Sequence, residues 1–210
     1  MLKIGILALQ GDVAEHRTAL AAAAAELGMG ISITLARDAS GLAGLDGIVL
    51  PGGESTTIWK LLSRHGMAKG LKKIPCVFGT CAGLILMARH AEGRIDGQQT
   101  LGLLDIEVAR NAYGPQTDSF EAEIKISGEN GGEKIMAAFI RAPAITSVGT
   151  AKPVAWHSKE VVGVESESAG AFYLGMACHP EIAGETYFHK LFIEKCMEKK
   201  KNRQGKNLNE

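Results

Sequence analysis

The stretch Gly79-Thr80-Cys81-Ala82-Gly83 sets one cysteine between two glycines. The apolar run Cys76-Val77-Phe78 precedes it, and Leu84-Ile85-Leu86-Met87 follows it. This is the G-x-S-x-G spacing with cysteine as the nucleophile, in the strand–turn–helix setting that motif requires. The glycines let the backbone fold back without a Cβ clash, so the central residue can take a strained conformation. The turn also puts Cys81 at a helix N-terminus, where the positive end of the helix dipole favours a thiolate. The N–H of Ala82 then points to where an oxyanion would form. A free cysteine is more often a small buried hydrophobe. Cys76, Cys178 and Cys196 fit that description, whereas the glycines around Cys81 speak against it.

A cysteine nucleophile needs a base. Of the histidines His16, His65, His90, His157, His179 and His189, only one has a carboxylate held in fixed relation to it, in Cys178-His179-Pro180-Glu181. Residues two apart in extended chain point to the same side, and Pro180 stiffens the pair. Glu181 can hold the imidazole by one nitrogen while the other faces a thiol. The competing reading of His179 is a loop histidine beside a turn proline. The other five histidines read as structural, with His16 on the first helix and His189 on the last.

Leu50-Pro51-Gly52-Gly53-Glu54-Ser55 follows a strand and precedes a helix. Its glycines let backbone N–H groups approach a ligand, and Gly53 could complete an oxyanion hole with Ala82. An ordinary strand-to-helix turn is the alternative. The P-loop pattern is absent, which argues against a nucleotide triphosphatase. Arg110 and Arg141 each end a strand-like run, where ligands sit in open α/β sheets. There they could pair with a carboxylate or simply be solvated.

These residues need a scaffold. Strands are expected at residues 3–9, 31–35, 47–50 and 75–78. Helices are expected from Asp12, as N-cap with Glu15 completing a capping box, to about residue 27; from residue 55 to 63; and from the cysteine turn to about His90. Alternating strands and helices with short loops predict an α/β fold, a mostly parallel sheet with helices on both faces. After Gly97 the pattern changes to strand-like runs at 101–108, 120–126, 136–140, 154–157, 161–165 and 171–178. They predict an antiparallel extension in the C-terminal half. A last helix is expected at about 184–199, and the polar tail 198–210 is expected to fray. No linker divides the chain.

The chain has 210 residues, 46% hydrophobic and 22% charged, with 23 basic and 23 acidic side chains. That balance offers no electrostatic reason to expect nucleic acid or an anionic membrane. Four scattered cysteines form neither a disulfide framework nor a zinc site, which suggests a reducing, cytoplasmic setting. The opening MLKIGILALQGD turns polar too soon for a signal peptide, and no apolar run approaches a membrane span.

Together, GTCAG and His179-Pro180-Glu181 resemble the triad-type (class I) glutamine amidotransferase family, which has a flavodoxin-like fold. Further stretches are similar to the glutaminase subunits of pyridoxal 5′-phosphate synthases. They are Ala8-Leu9-Gln10-Gly11-Asp12 with Glu15-His16, LPGGEST at 50–56, RNAYGPQ at 110–116 with Asp118-Ser119-Phe120-Glu121, and FIRAP at 139–143. The likeness spans residues 1–197 as a single amidotransferase domain. It implies Cys81 as nucleophile with His179 and Glu181 as its relay, and an oxyanion hole from Gly53 and Ala82. It places Gly52, Gly53, Glu54, Arg110, Ile140 and Arg141 around L-glutamine and Gln10 near a synthase partner. That partner would order the oxyanion hole and receive ammonia through an internal path. No cofactor or metal is implied. Cys178 and Ile182 depart from the usual aromatic and leucine. Two rival readings are a glutaminase serving a different synthase and a cysteine-dependent stress or redox protein on a related sheet.

Overall fold

The structure, a computed structural model, describes every residue except 95, 111, 113–118, 128–131, 169 and 208–210, and only the backbone of 206 and 207. Most of the RNAYGPQ stretch, together with Asp118, therefore lies outside the described residues.

The first half alternates as its sequence suggests: β1 (Leu2–Leu7), α1 (Val13–Glu26), β2 (Ile31–Ala36), β3 (Gly47–Leu50), α2 (Ser55–Arg64), a short α3 (Ala68–Leu71), β4 (Cys76–Thr80) and α4 (Ala82–Met87). Apolar β-branched runs form the strands, and their side chains are almost wholly buried. That is the signature of parallel strands covered on both faces. The expected helix to His90 is shorter: α4 ends at Met87, and the chain turns into β5 (Ala88–Glu92).

The second half runs β6 (Leu104–Ala109), β7 (Phe120–Ile126), β8 (Lys134–Phe139), β9 (Ala144–Val148), β10 (Lys152–His157), β11 (Glu160–Glu167) and β12 (Phe172–Met176) before α5 (Tyr187–Asn207). The main sheet has the order β2-β1-β3-β4-β12-β11-β10-β7-β8. Its first five strands are parallel and the rest antiparallel. Strands β5, β6 and β9 form a separate small sheet. Helix α1 packs with α5, and α2 with α4. Among the described residues no helix is long and apolar enough to cross a membrane.

Two features position the site. In the parallel half, β1, β3, β4 and β12 all point the same way, so the loops after them meet at one sheet edge. In the antiparallel half, the sheet curls until Ala138 of β8 pairs with His179, just beyond β12: His179 N–H donates to Ala138 O at 2.8 Å and Ala138 N–H to His179 O at 3.1 Å.

In the C-terminal segment, residues 198–207 continue α5 to Asn207. Lys199 is buried and ion-pairs with Glu167 (2.6 Å), while Lys200 and Arg203 hold Asp46 at 2.7 and 3.1 Å. Composition alone reads these lysines as solvated; the two carboxylates they meet are more than thirty residues away in sequence.

Candidate active site

Cys81 is the link between β4 and α4. Its φ of 46° and ψ of −101° lie where L-residues are strained, and its N–H is held by Met176 O at 2.8 Å. The glycines around it are sterically required. A Cβ on Gly83 would overlap the Leu50 carbonyl oxygen, and one on Gly79 would come 2.7 Å from Met87 Sδ. The thiol is nearly buried and faces the Ile140 carbonyl oxygen at 3.8 Å.

The loops after β1, β3, β4, β6, β8 and β12 line a pocket of about 220 Å³. Cys81, His179, Gln10, Gly53, Glu54, Arg110, Ile140 and Arg141 all line it, with Asp12, Ser55 and Ile85. Ala82 follows Cys81 as the first residue of α4. Glu181 stands behind the imidazole: its Oε1 lies 2.9 Å from His179 Nδ1. Gly52 lies against the same ring, since a Cβ there would overlap His179 Cε1. Arg141, like Cys81, has positive φ, at 48°. Residues that the sequence spreads over 170 positions thus converge on one cavity.

The electrostatics are those of a buried imidazole–carboxylate pair. Burial works against a charge on His179, but hydrogen bonds to Asp12, Cys81 and Glu181 raise its pKa well above the ordinary value. Burial likewise opposes ionisation of Glu181, yet His16 and His179 beside it bring its pKa down to about 2. Cys178, next in the chain, is pushed the other way by burial, up to about 12, as befits an inert core thiol.

One end of the pocket is a ring of polar groups. Glu54 caps α2, accepting from Thr56 N (3.0 Å), Thr57 N (2.6 Å) and Thr57 Oγ1 (2.8 Å). Partial burial opposes its charge, but the Thr57 hydroxyl and these N–H groups hold its pKa at about 2. Arg110 donates to Glu54 Oε1 (3.2 Å), to Gln98 Oε1 (3.3 Å) and to the Gly93 carbonyl (3.0 Å). Gln10 Oε1 accepts from Glu54 N–H at 2.8 Å and fills the space beside Gly53. The Gly52 carbonyl accepts from Asp12 N–H at 3.3 Å.

Several neighbours of these residues escape a reading by sequence. Asp12 makes no side-chain cap on α1. Its Oδ2 instead lies 3.2 Å from His179 Nδ1. His16 and His189, read as structural, are wholly buried behind Glu181. A signal was present: His16 starts the stripe His16, Ala19, Leu20, Ala23, Ala24, the buried side of α1. His189 holds the equivalent place with Phe192, Ile193 and Cys196 on α5. Gln98, buried between Ser55, Thr56 and Arg110, carried no signal.

Asp12, His179 and Glu181 could also be seen as a metal-ligand set, since one donor atom from each lies within 4.8 Å of the others. Within that set His179 Nδ1 lies 2.9 Å from Glu181 Oε1 and 3.2 Å from Asp12 Oδ2, while Glu181 Oε2 finds no partner among the described residues.

Comparison with known proteins agrees with this architecture. A model of the SNO glutamine amidotransferase family matches residues 6–198. The chain is 42% identical over 203 residues to a protein of Thermococcus onnurineus (strain NA1) named "Pyridoxal 5'-phosphate synthase subunit PdxT", covering 94% of this chain and all of the relative. A protein of the same name from Oenococcus oeni (strain ATCC BAA-331 / PSU-1) is 46% identical over 204 residues, covering 95% and 99% of the two chains. Among solved structures, one titled "Crystal structure of glutamine amidotransferase" superposes with a TM-score of 0.77 at 34% identity, covering 92% of this chain and 98% of that one. With its strained cysteine turn, a buried imidazole–carboxylate pair and likeness over almost its whole length, the chain belongs to the SNO glutamine amidotransferase family.

Proposed function

We propose that this chain hydrolyses L-glutamine to L-glutamate and ammonia, and delivers the ammonia to a synthase partner that builds pyridoxal 5′-phosphate. The observation that carries the reading is the strained Cys81 in one pocket with an imidazole backed by a buried carboxylate. Family membership supplies glutamine as the substrate, and the names of the relatives supply the synthase.

The Cys81 thiolate attacks the side-chain amide carbon of glutamine. Backbone N–H groups of Gly53 and Ala82 hold the resulting oxyanion. His179, as imidazolium, gives its proton to the departing nitrogen, and ammonia leaves. The neutral imidazole then takes a proton from water, which attacks the glutamyl thioester and releases glutamate and the thiolate. Glu181 holds the ring by Nδ1 throughout. Arg110, Glu54, Ile140 and Arg141 surround the amino-acid end of the substrate. Gln10, on the loop after β1, is a contact for the synthase.

One oxyanion-hole donor is worth ~3 kcal/mol of barrier. A partner that sets the Gly52–Gly53 peptide can therefore switch an otherwise complete triad. Two measurements test the reading. A glutamine-mimicking diazoketone should label Cys81 and no other cysteine; absence of labelling removes the glutaminase claim. Glutaminase rate should rise when the synthase is added; equal rates remove partner control.

A further inference from the structure

The mechanism leaves two wholly buried histidines unused. His16 of α1 and His189 of α5 lie behind the triad, with Thr80, the last residue of β4, beside His16 and Glu181. His189 Nε2 is 3.0 Å from His16 Nδ1. His16 Nε2 is 3.0 Å from Thr80 Oγ1 and 3.3 Å from Glu181 Oε1. Thr80 Oγ1 donates to the same Oε1 at 3.3 Å.

The direction of these bonds follows from the groups at each end. Burial lowers the pKa of His16, and that of His189 falls to about 3, so both rings are neutral at neutral pH. A neutral imidazole has one N–H and one lone pair. His189 Nδ1 is buried with no hydrogen-bond partner among the described residues. A stranded N–H costs more than a stranded lone pair, so the proton of His189 sits on Nε2 and is donated to His16 Nδ1. His16 must then carry its own proton on Nε2, facing Thr80 and the carboxylate. A lone pair in that place would be repelled by Glu181. Both ends of the chain select the same tautomers.

We propose that His189, His16 and Thr80 are positioning residues, a one-way relay of neutral donors ending on Glu181 Oε1 that keeps this carboxylate ionised and only weakly basic. The proposal rests on the glutaminase reading for its purpose, since His179 must be able to surrender its proton to act on water. The Glu181 side chain is completely buried, and its Oε2 finds no partner among the described residues. A buried carboxylate short of donors captures or tightens its grip on a neighbouring proton. Donors crowded on Oε1 counter this and leave the proton on the His179 ring. The titratable groups facing His16 are Glu181, His179, Asp12 and Glu15; those facing His189 are His16 and Glu181.

The test is ¹⁵N NMR of histidine-labelled full-length chain as a function of pH. His16 and His189 should both carry the proton on Nε2. In His16→Leu the His179–Glu181 pair should hold its proton more tightly, so His179 titrates about one pH unit higher. His16→Gln keeps an N–H near the Nε2 position and an acceptor for His189, and should titrate like wild type. Should His16→Leu fail to fold, the near-isosteric Thr80→Val is read instead, with a smaller shift in the same direction. A proton on His16 Nδ1, or an unmoved or lowered His179 titration in the variant that folds, overturns the relay. Glutaminase assays on the same proteins, with the synthase present, should show a lower kcat with little change in KM for the donor-free variant. A wild type without glutaminase activity would retire the functional reading while the NMR result still decided the relay.

Discussion

Asp12 Oδ2 lies 3.2 Å from His179 Nδ1, on the same nitrogen that Glu181 Oε1 approaches to 2.9 Å. The imidazole of His179 is therefore held by two carboxylates, one buried and one at the pocket edge. Asp12→Asn removes one negative charge while keeping the shape. A neutral acceptor in place of the carboxylate weakens that hydrogen bond and lowers the His179 pKa, so the alkaline limb of kcat/KM should move to lower pH. Glu181→Gln presents an amide to the ring and disturbs its tautomer, and should cost at least ~10²-fold in kcat. A pH profile of Asp12→Asn that overlays wild type would show that Asp12 is a bystander.

The glycines around the site divide into those that protect chemistry and those that protect the fold. An alanine at Gly52 would overlap His179 Cε1 and lie 2.6 Å from Asp12 Oδ2, both at the ends of side chains that can shift. Displacing the imidazole should cost ~10²-fold in kcat with little change in melting temperature. An alanine at Gly83 would overlap the Leu50 carbonyl, which is backbone. That change should cost about 1–3 kcal/mol of stability and shift the melting curve. Equal melting temperatures for the two variants would contradict the distinction.

Gln98 links Arg110 to the start of α2 through Thr56 and Ser55. Gln98→Leu leaves the guanidinium with one anchor fewer and should raise KM for glutamine roughly tenfold, the worth of a charge-assisted hydrogen bond of ~1.5 kcal/mol. Because this contact is made in ground and transition states alike, kcat should hold. Steady-state kinetics settles the point: a fall in kcat at constant KM would place Gln98 in the chemistry rather than in binding.

Stability should depend on the buried histidines. His189 has a folded pKa of about 3 against an ordinary 6.5. Between those values the unfolded chain binds a proton that the folded one refuses, so stability is lost as pH falls from 6.5 towards 3. His16, also lowered, acts in the same direction. Urea midpoints measured at successive pH values should fall less steeply over this window for His189→Gln than for wild type. Parallel curves would mean that the acid sensitivity arises elsewhere.

What the sequence determined by itself was everything that depends on near neighbours. The cysteine turn was legible because a cysteine between glycines, after a strand and before a helix, dictates its own backbone; φ at Cys81 is 46°. The two-residue spacing of His179 and Glu181 around Pro180 brought their side chains together, at 2.9 Å. The change from alternating strands and helices to successive strands announced the switch from parallel to antiparallel pairing. Tertiary structure alone decided what depends on partners far along the chain. Asp12 has the composition of a helix cap, yet its side chain turns to His179 because the β1 and β12 loops share an edge. His16 and His189 meet across 173 positions. Lys199, Lys200 and Arg203 look like a solvated tail until Glu167 and Asp46 stand opposite them. Local spacing sets torsions and faces, but the energy of a polar group depends on what stands across from it, and only the folded chain specifies that.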